Sequence, residues 1–335
     1  MAEGMAARKG ESENLAQALK AGERPALARA ITLIESTRAD DRARAEDLLS
    51  GLMSTTGGAI RIGISGSPGV GKSTFIEAFG LMLTRQGLSV AVLAVDPSSR
   101  RTGGSILGDK TRMEELSRDP KAFIRPSPTG GSMGGVARRT REAMLLCEAA
   151  GFDVVIVETV GVGQSETAVA DMVDLFVLLL PPSGGDELQG IKKGIVELAD
   201  LVVVNKADGA LLEAANRAAA EYQSALRMLR PLSADWQVRV LRCSALEKRG
   251  IDEIWAEIQR HREVLGPAAL AEKRGAQARA WMWSEVEDSL AAAFRRHPAV
   301  ATRLGELEQR VAAGELPATV AARLLLKAFA AGDGE

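Results

Sequence analysis

Between residues 60 and 262 the chain alternates short, nearly unbroken apolar runs with longer amphipathic stretches. The runs cover 60–64, 90–95, 123–125, 154–157, 175–180, 201–204 and 238–241. A strand with one face in water alternates apolar and polar residues, whereas a strand buried on both faces stays apolar throughout. Most of these runs are continuous, so they predict strands of a mostly parallel sheet covered on both sides. Their alternation with helical stretches predicts βαβ units and an open α/β sheet. Such sheets hold their ligands beyond the carboxyl ends of the strands. The polar segments that follow each run are therefore where chemistry is expected.

The flanks have a different pattern. Residues 12 to about 55 are rich in Ala, Leu, Arg and Glu and helical in period, and Thr55-Thr56-Gly57-Gly58 breaks that pattern. After Gly266-Pro267, residues 268–330 again read as helices. The expected organisation is a helical extension over 1–56, an α/β core over 57–266, and a helical extension over 267–335. Trp281-Met282-Trp283 on that second extension reads as a stripe packing helix on helix, within the chain or across a homodimer, or as a partner anchor. No internal repeat is visible.

Composition narrows the class. Of 335 residues, 46% are hydrophobic and 26% charged, as in a water-soluble globular chain. A formal net charge of −2 leaves no basic footprint for nucleic acid. Cys147 and Cys243 are far apart and lack Cys-x-x-Cys spacing, which argues against a disulfide framework and for a reducing compartment. The first residues have no apolar run and carry several Glu, unlike a signal or transit peptide. The run 175–180 ends in Pro181-Pro182 and is far too short to span a bilayer. No membrane partner is expected. His261 and His297 are isolated and read as surface or packed histidines rather than ligands.

The segment after the first run is Gly66-Ser67-Pro68-Gly69-Val70-Gly71-Lys72-Ser73, followed by Thr74. It fits G-x-x-x-x-G-K-[ST] between a strand and a helix, which is the setting of a P-loop. Glycines let the backbone approach phosphates, successive N–H groups point into the loop, and the helix N-terminus adds positive potential. Lys72 is expected to reach the β- and γ-phosphates and the Ser73 hydroxyl to bind Mg²⁺. A Gly-rich turn before a helix is the plain alternative, and the strand–loop–helix context weighs against it. The predicted fold is thus that of a P-loop NTPase with helical extensions at both ends.

The later strand ends choose the nucleotide. Asn205-Lys206-Ala207-Asp208 after the run 201–204 matches N-K-x-D, the guanine-reading element of GTPases. A carboxylate at Asp208 accepts from both guanine N1–H and the exocyclic amine, a donor pair that adenine lacks. Asn205 can brace neighbouring loops and the Lys206 stem can cover the base. Cys243-Ser244-Ala245-Leu246 follows the last run and corresponds to the fifth GTPase motif, whose backbone N–H groups, from Ser244, Ala245 and Leu246, meet guanine O6. Ser244 as a helix N-cap is the alternative.

The metal side is read from Glu158-Thr159-Val160-Gly161 and from Asp96-Pro97-Ser98-Ser99. GTPases commonly carry D-x-x-G at the first position, and here Glu158 replaces the Asp. A strand-end Asp such as Asp96 is typical of the P-loop subclass that includes signal-recognition and metal-chaperone GTPases. Asp96 and Glu158 are expected to flank Mg²⁺ through its waters, and Gly161 to face the γ-phosphate. Residues 100–112 read as a nucleotide-sensitive segment, with Asp109 either a third group near the metal or the start of a solvated helix. Lys72, Asp96, Asp109 and Glu158 are thus the catalytic candidates. The glutamine that follows D-x-x-G in Ras-like GTPases is replaced by Val162, and Gln164 stands two residues on. Slow intrinsic hydrolysis is therefore expected. Residues 129–135 are either a second loop near phosphate or a turn before a helix. Residues 181–194 are either a helix-capping loop or a third nucleotide-sensitive segment.

Taken together, these motifs resemble the MeaB/ArgK-type GTPases associated with methylmalonyl-CoA mutase. The resemblance spans nearly the whole chain. It is carried by Ala26–Ser36, the P-loop through Thr74, Asp96–Ser99, Gly103-Gly104-Ser105-Ile106-Leu107-Gly108-Asp109-Lys110, Gly134-Gly135-Val136-Ala137, Glu158–Gly163, Gly184-Gly185-Asp186-Glu187-Leu188-Gln189-Gly190 and Asn205–Asp208. It implies a homodimeric cytoplasmic GTPase that binds GTP/GDP and Mg²⁺. It also implies a partner, an adenosylcobalamin-dependent methylmalonyl-CoA mutase whose cofactor loading it gates and which it protects. Glu158 in place of Asp matches this family. No Asp-x-His-x-x-Gly cobalamin signature is present. A nickel-insertion GTPase is the runner-up, but two Cys and two His without metal spacing do not suit it. An ATP-dependent kinase is opposed by N-K-x-D, and an interaction module in which GTP only sets shape stays open.

Overall fold

The computed structural model describes residues 2–95, 113–126, 133–159, 165–182, 193–227 and 235–331. Seven strands form one sheet: β1 Ile60–Gly66, β2 Val90–Val95, β3 Ala122–Arg125, β4 Val154–Thr159, β5 Leu175–Leu180, β6 Leu201–Val204 and β7 Arg239–Arg242. Their order is β3-β2-β4-β1-β5-β6-β7 and every pairing is parallel. β2, β4, β5 and β6 are buried along their whole length, which is why they read as unbroken apolar runs. β7 is an edge strand with exposed ends. Pairing of Leu201 with Arg239 and Val204 with Arg242 sets its span one residue beyond the apolar run.

Helix α4, Lys72–Arg85, follows β1 and covers one face. Its Phe75 and Phe79 rings stack at 5.6 Å between centroids, and Phe79 meets the edge of Trp255 at 6.0 Å. Helices α1 Ala2–Lys20, α2 Arg24–Glu35 and α3 Ala39–Leu52 pack on one another and on Met133–Ala149. That extension is tied to the sheet where Arg125, closing β3, pairs with Glu35, closing α2.

The chain divides into two compact units, Met1–Gln277 and Ala278–Glu335. Helix Ile251–Arg296 is interrupted at Gly266 (φ 70°, ψ 167°), followed by Pro267, which has no N–H to continue a ladder. In the second unit, helices Pro298–Ala312 and Ala318–Ala331 pack together, with Val300, Leu307 and Ala321 buried. Phe329 meets Phe294 at 5.4 Å and His297 at 5.0 Å. Met282 and Trp283 are exposed. No described helix is long and apolar enough to cross a membrane.

The amino edge of the sheet carries a charge network. Arg61 on β1 makes a bidentate pair with Glu148, Nε to Oε1 at 2.7 Å and Nη2 to Oε2 at 2.9 Å, with both side chains buried. The Asp174 carboxylate accepts from the Arg61 amide at 2.9 Å and from Arg274 at 2.7 and 2.6 Å. Arg274 also donates to the Gly57 and Ala59 carbonyls. Residues 267–277 are thereby held to the strand starts.

His261 lies beside this network, buried, with its ring at 4.7 Å from that of Trp236 and its Nε2 at 3.9 Å from Asp200 Oδ1. Burial lowers its pKa, with Lys273 adding to the shift and Asp200, Asp174 and Glu257 opposing it. The neutral ring is therefore the native form. Above the usual histidine value of about 6.5 this has no effect on stability. As pH falls below that value the unfolded chain takes up a proton that the folded chain resists, so stability is lost. Urea midpoints at pH 7.5 and 5.0 should fall further for the wild type than for His261→Gln. Equal pH slopes would dismiss this role for the ring.

Candidate functional site

β1 delivers Gly66, buried at its end, into a loop in which Ser67 and Gly71 are half-buried, Pro68 and Gly69 exposed and Val70 buried. The Val70 amide turns back to the Ser67 carbonyl at 3.2 Å. The first helical bond of α4 runs from the Phe75 amide to Gly71 O at 2.9 Å. The N–H groups of Lys72, Ser73 and Thr74 stand in that first turn, where a helix has no acceptor of its own for them and where helix N-termini meet anions. The Lys72 ammonium arches over the loop, donating to Gly66 O at 2.7 Å and Ser67 O at 3.2 Å. Gly71 is required twice: its φ is 95°, and a Cβ there would lie 2.8 Å from Asn205 Nδ2.

That close approach links the P-loop to the end of β6. Asn205 is 1% exposed, and its Nδ2 donates to Val70 O at 2.9 Å. Its Oδ1 accepts from the Ala245 amide at 3.1 Å and from Cys243 Sγ at 3.4 Å. Lys206 adopts φ 60°, rare for a residue with a Cβ, and its Nζ donates to Gly69 O at 2.7 Å. Backbone bonds from Cys243 N to Val204 O and from Ala207 N to Cys243 O carry the β6–β7 ladder into these loops. Asp208 is half-buried, and its carboxylate accepts a close hydrogen bond from Ser244 Oγ, which in turn accepts from the Glu247 amide at 3.0 Å. Leu246 is exposed beside them. Residues 69–71, 205–208 and 243–246 thus meet at one sheet edge. Burial, with a smaller contribution from Asp208, pushes the Cys243 thiol pKa up to about 12, so it stays protonated.

On the other side of β1, Glu158 is buried near the end of β4, in register with Ile64 of β1 and Ala94 of β2. The next residue, Thr159, donates its hydroxyl to Ser65 Oγ at 2.8 Å, locking β4 to β1 just before the P-loop. Ser73 is half-buried in the first turn of α4. A hydroxyl and a carboxylate are hard oxygen donors of the kind Mg²⁺ takes. Asp96, Asp109 and Gly161 lie outside the described residues, as do Val162, Gln164, 100–112, 129–132 and 183–192. Among the described residues no group of three His, Cys, Asp or Glu side chains stands ready for a metal ion.

The family model described as methylmalonyl Co-A mutase-associated GTPase MeaB matches residues 27–299. The chain is 55% identical to the GTPase ArgK of Escherichia coli, over 81% of this chain and 82% of that protein. It is 51% identical to the mitochondrial methylmalonic aciduria type A homolog of Mus musculus, over 95% and 79% of the two. Among solved structures, one described as a LAO/AO transport system kinase superposes with a TM-score of 0.77 at 42% identity, covering 95% of this chain and 97% of that one.

Proposed function

Given that the chain belongs to the MeaB family of methylmalonyl-CoA mutase-associated GTPases, we propose that it hydrolyses GTP to GDP and phosphate as a chaperone of that mutase, gating adenosylcobalamin loading and protecting the loaded enzyme. The observation that carries the nucleotide half is the Asn205 carboxamide. It joins the guanine-reading loop to Val70 of the P-loop, so base and phosphate are bound by one connected structure. The mutase half rests on the family match. The proposal includes a homodimer, through the C-terminal helical extension that exposes Met282 and Trp283, and a cytoplasmic location.

The residue roles in this proposal rest on the motifs and, for Lys72, Ser73, Glu158 and Asp208, also on where those residues stand. Backbone N–H groups at Lys72, Ser73 and Thr74, with the Lys72 ammonium, hold the β- and γ-phosphates. Ser73, Glu158, Asp96 and Asp109 hold Mg²⁺ directly or through its waters, and Gly161 meets the γ-phosphate. Bound Mg²⁺ neutralises charge on the phosphoryl oxygens. Asp208 reads the guanine edge. The Ser244 and Ala245 amides already donate to Arg249 O and Asn205 Oδ1, so within 244–246 the O6 contact falls to the Leu246 amide.

The division of labour is testable. Lys72→Ala removes a charge-assisted donor and should weaken GDP binding by about 10–100-fold. Glu158→Ala and Asp96→Ala should leave GDP affinity within about threefold and lower turnover by about 10²-fold or more. Equal losses of GDP affinity in all three would overturn this assignment. The function itself is tested by mixing the chain with GTP and an adenosylcobalamin-dependent mutase. Multiple-turnover phosphate release that rises with mutase, with no phosphorylated protein, supports it. Phosphate transfer to a protein or metabolite would favour a kinase.

A further inference from the structure

Cys243 is a buried thiol that no part of the proposed hydrolysis uses, yet it touches the residue on which the site turns. Its Sγ lies 3.4 Å from Asn205 Oδ1, alongside the Ala245 amide at 3.1 Å. Across the carboxamide, Nδ2 donates to Val70 O at 2.9 Å. The orientation is therefore set at both ends: two donors face Oδ1 and one acceptor faces Nδ2. Rotating the amide by half a turn would set donors against donors and oxygen against oxygen. An S–H group can act as the second donor only while it keeps its proton, and burial keeps it protonated through the neutral range.

The backbone around Cys243 is shaped to hold it there. Gly250 has φ 75°, and a Cβ on it would lie 2.4 Å from Arg242 O, 3.2 Å from Cys243 Cα and 3.3 Å from Cys243 Cβ. Ser244 and Arg249 close this turn by exchanging backbone hydrogen bonds at 3.0 and 3.1 Å. The Cys243 amide and carbonyl are both bonded, to Val204 O and from Ala207 N. The main chain on both sides of Cys243 is thus held by backbone hydrogen bonds.

We infer that Cys243 is a positioning residue for guanine-nucleotide binding: its thiol orients Asn205, and through Asn205 keeps the base-reading loop joined to the P-loop. The residue touches no nucleotide and acts only through the carboxamide. The inference rests on the guanine reading of Asn205–Asp208. A sulfhydryl is a weak donor, so the expected effect is moderate, within the range of a single buried hydrogen bond.

The test compares three variants of the full chain by the release rate of a fluorescent GDP analogue, with melting of the nucleotide-free protein as a second measurement. Cys243→Ser keeps a donor but loses apolar volume. Cys243→Ala loses both, and Cys243→Val fills the space without a donor. Release should quicken roughly three- to tenfold in Ala and Val and stay within about twofold of wild type in Ser. Should Val fail to fold, the Ala and Ser pair decides. A packing role gives a different order, with Ser as fast as Ala and release following the loss of melting temperature. That order, or an Ala variant indistinguishable from wild type, overturns the inference. Wild-type release of ADP separates the two layers. If ADP is held as tightly as GDP, the guanine reading fails. If GDP is selected and all three variants match wild type, only the role of Cys243 fails.

Discussion

Asp208→Asn is expected to cost the protein GTP and bring it xanthosine triphosphate. Guanine presents two donors at its N1 and exocyclic amine, and a carboxylate offers two acceptors. The Asn variant keeps one acceptor and turns the other group into a donor facing the amine. Hydrogen bonds to a charged group are worth about 1.5–3 kcal/mol each. Losing one and opposing two donors should lower GTP affinity by about 10²–10⁴-fold. Xanthine keeps N1–H and carries a carbonyl where guanine has the amine, so the Asn pair complements it. The site tolerates the change structurally, because Asp208 is half-buried at a loop and the Ser244 hydroxyl that donates to it can bond an amide as well. Competition binding of GDP, xanthosine diphosphate and ADP to both forms measures the result. A variant that keeps GDP and ignores the xanthine nucleotide would show that Asp208 does not read the base.

Motifs that act locally were legible in the sequence, and pairings across long separations were not. Each of the seven strands overlaps an apolar run, and the match is closest for β2, β4, β5 and β6, where burial on both faces leaves a signal in a handful of consecutive residues. The P-loop was readable for the same reason: Gly71-Lys72-Ser73 must be contiguous to place glycine, ammonium and helix start together. The single-residue slip at β7 arose at an exposed edge, where pairing with β6 rather than burial sets the span. The joint between loops is less visible. N-K-x-D suggests that Asn205 braces something, but nothing in the chain says that its partners are Val70 and Cys243, 135 and 38 residues away. Cys243 stands one residue before a recognisable Ser-Ala-Leu, and that adjacency was the only available signal. His261, read as a surface or packed histidine, proves to be buried against Trp236. The charge network at the amino edge left no pattern at all, since Arg61, Glu148, Asp174 and Arg274 come from four separate segments.

That network should produce the largest change in stability. The Glu148 side chain is fully enclosed and Arg61 nearly so, with relative exposures of 0% and 6%. Both carboxylate oxygens are used, since Oε1 takes Arg61 Nε and Oε2 takes Arg61 Nη2 and the Gly57 amide. A lone buried pair owes much of its attraction back to desolvation, so its presence says little about net stability. Removing one member is a different matter. Glu148→Leu leaves the Arg61 guanidinium buried without its counter-ion and the Gly57 N–H without its acceptor. The expected loss is about 3–5 kcal/mol, a large part of the roughly 5–15 kcal/mol that holds a typical domain folded. Removing both charges should be far milder. In Arg61→Leu/Glu148→Leu no buried charge is stranded, and the Arg61 main-chain bond to Asp174 does not depend on the side chain. The double variant should therefore recover most of the loss, giving a strongly non-additive cycle. Urea unfolding of wild type, both single variants and the double variant measures all four corners. If Glu148→Leu costs under about 1 kcal/mol, or the two losses simply add, the pair is not a desolvated one and water reaches the amino edge of the sheet.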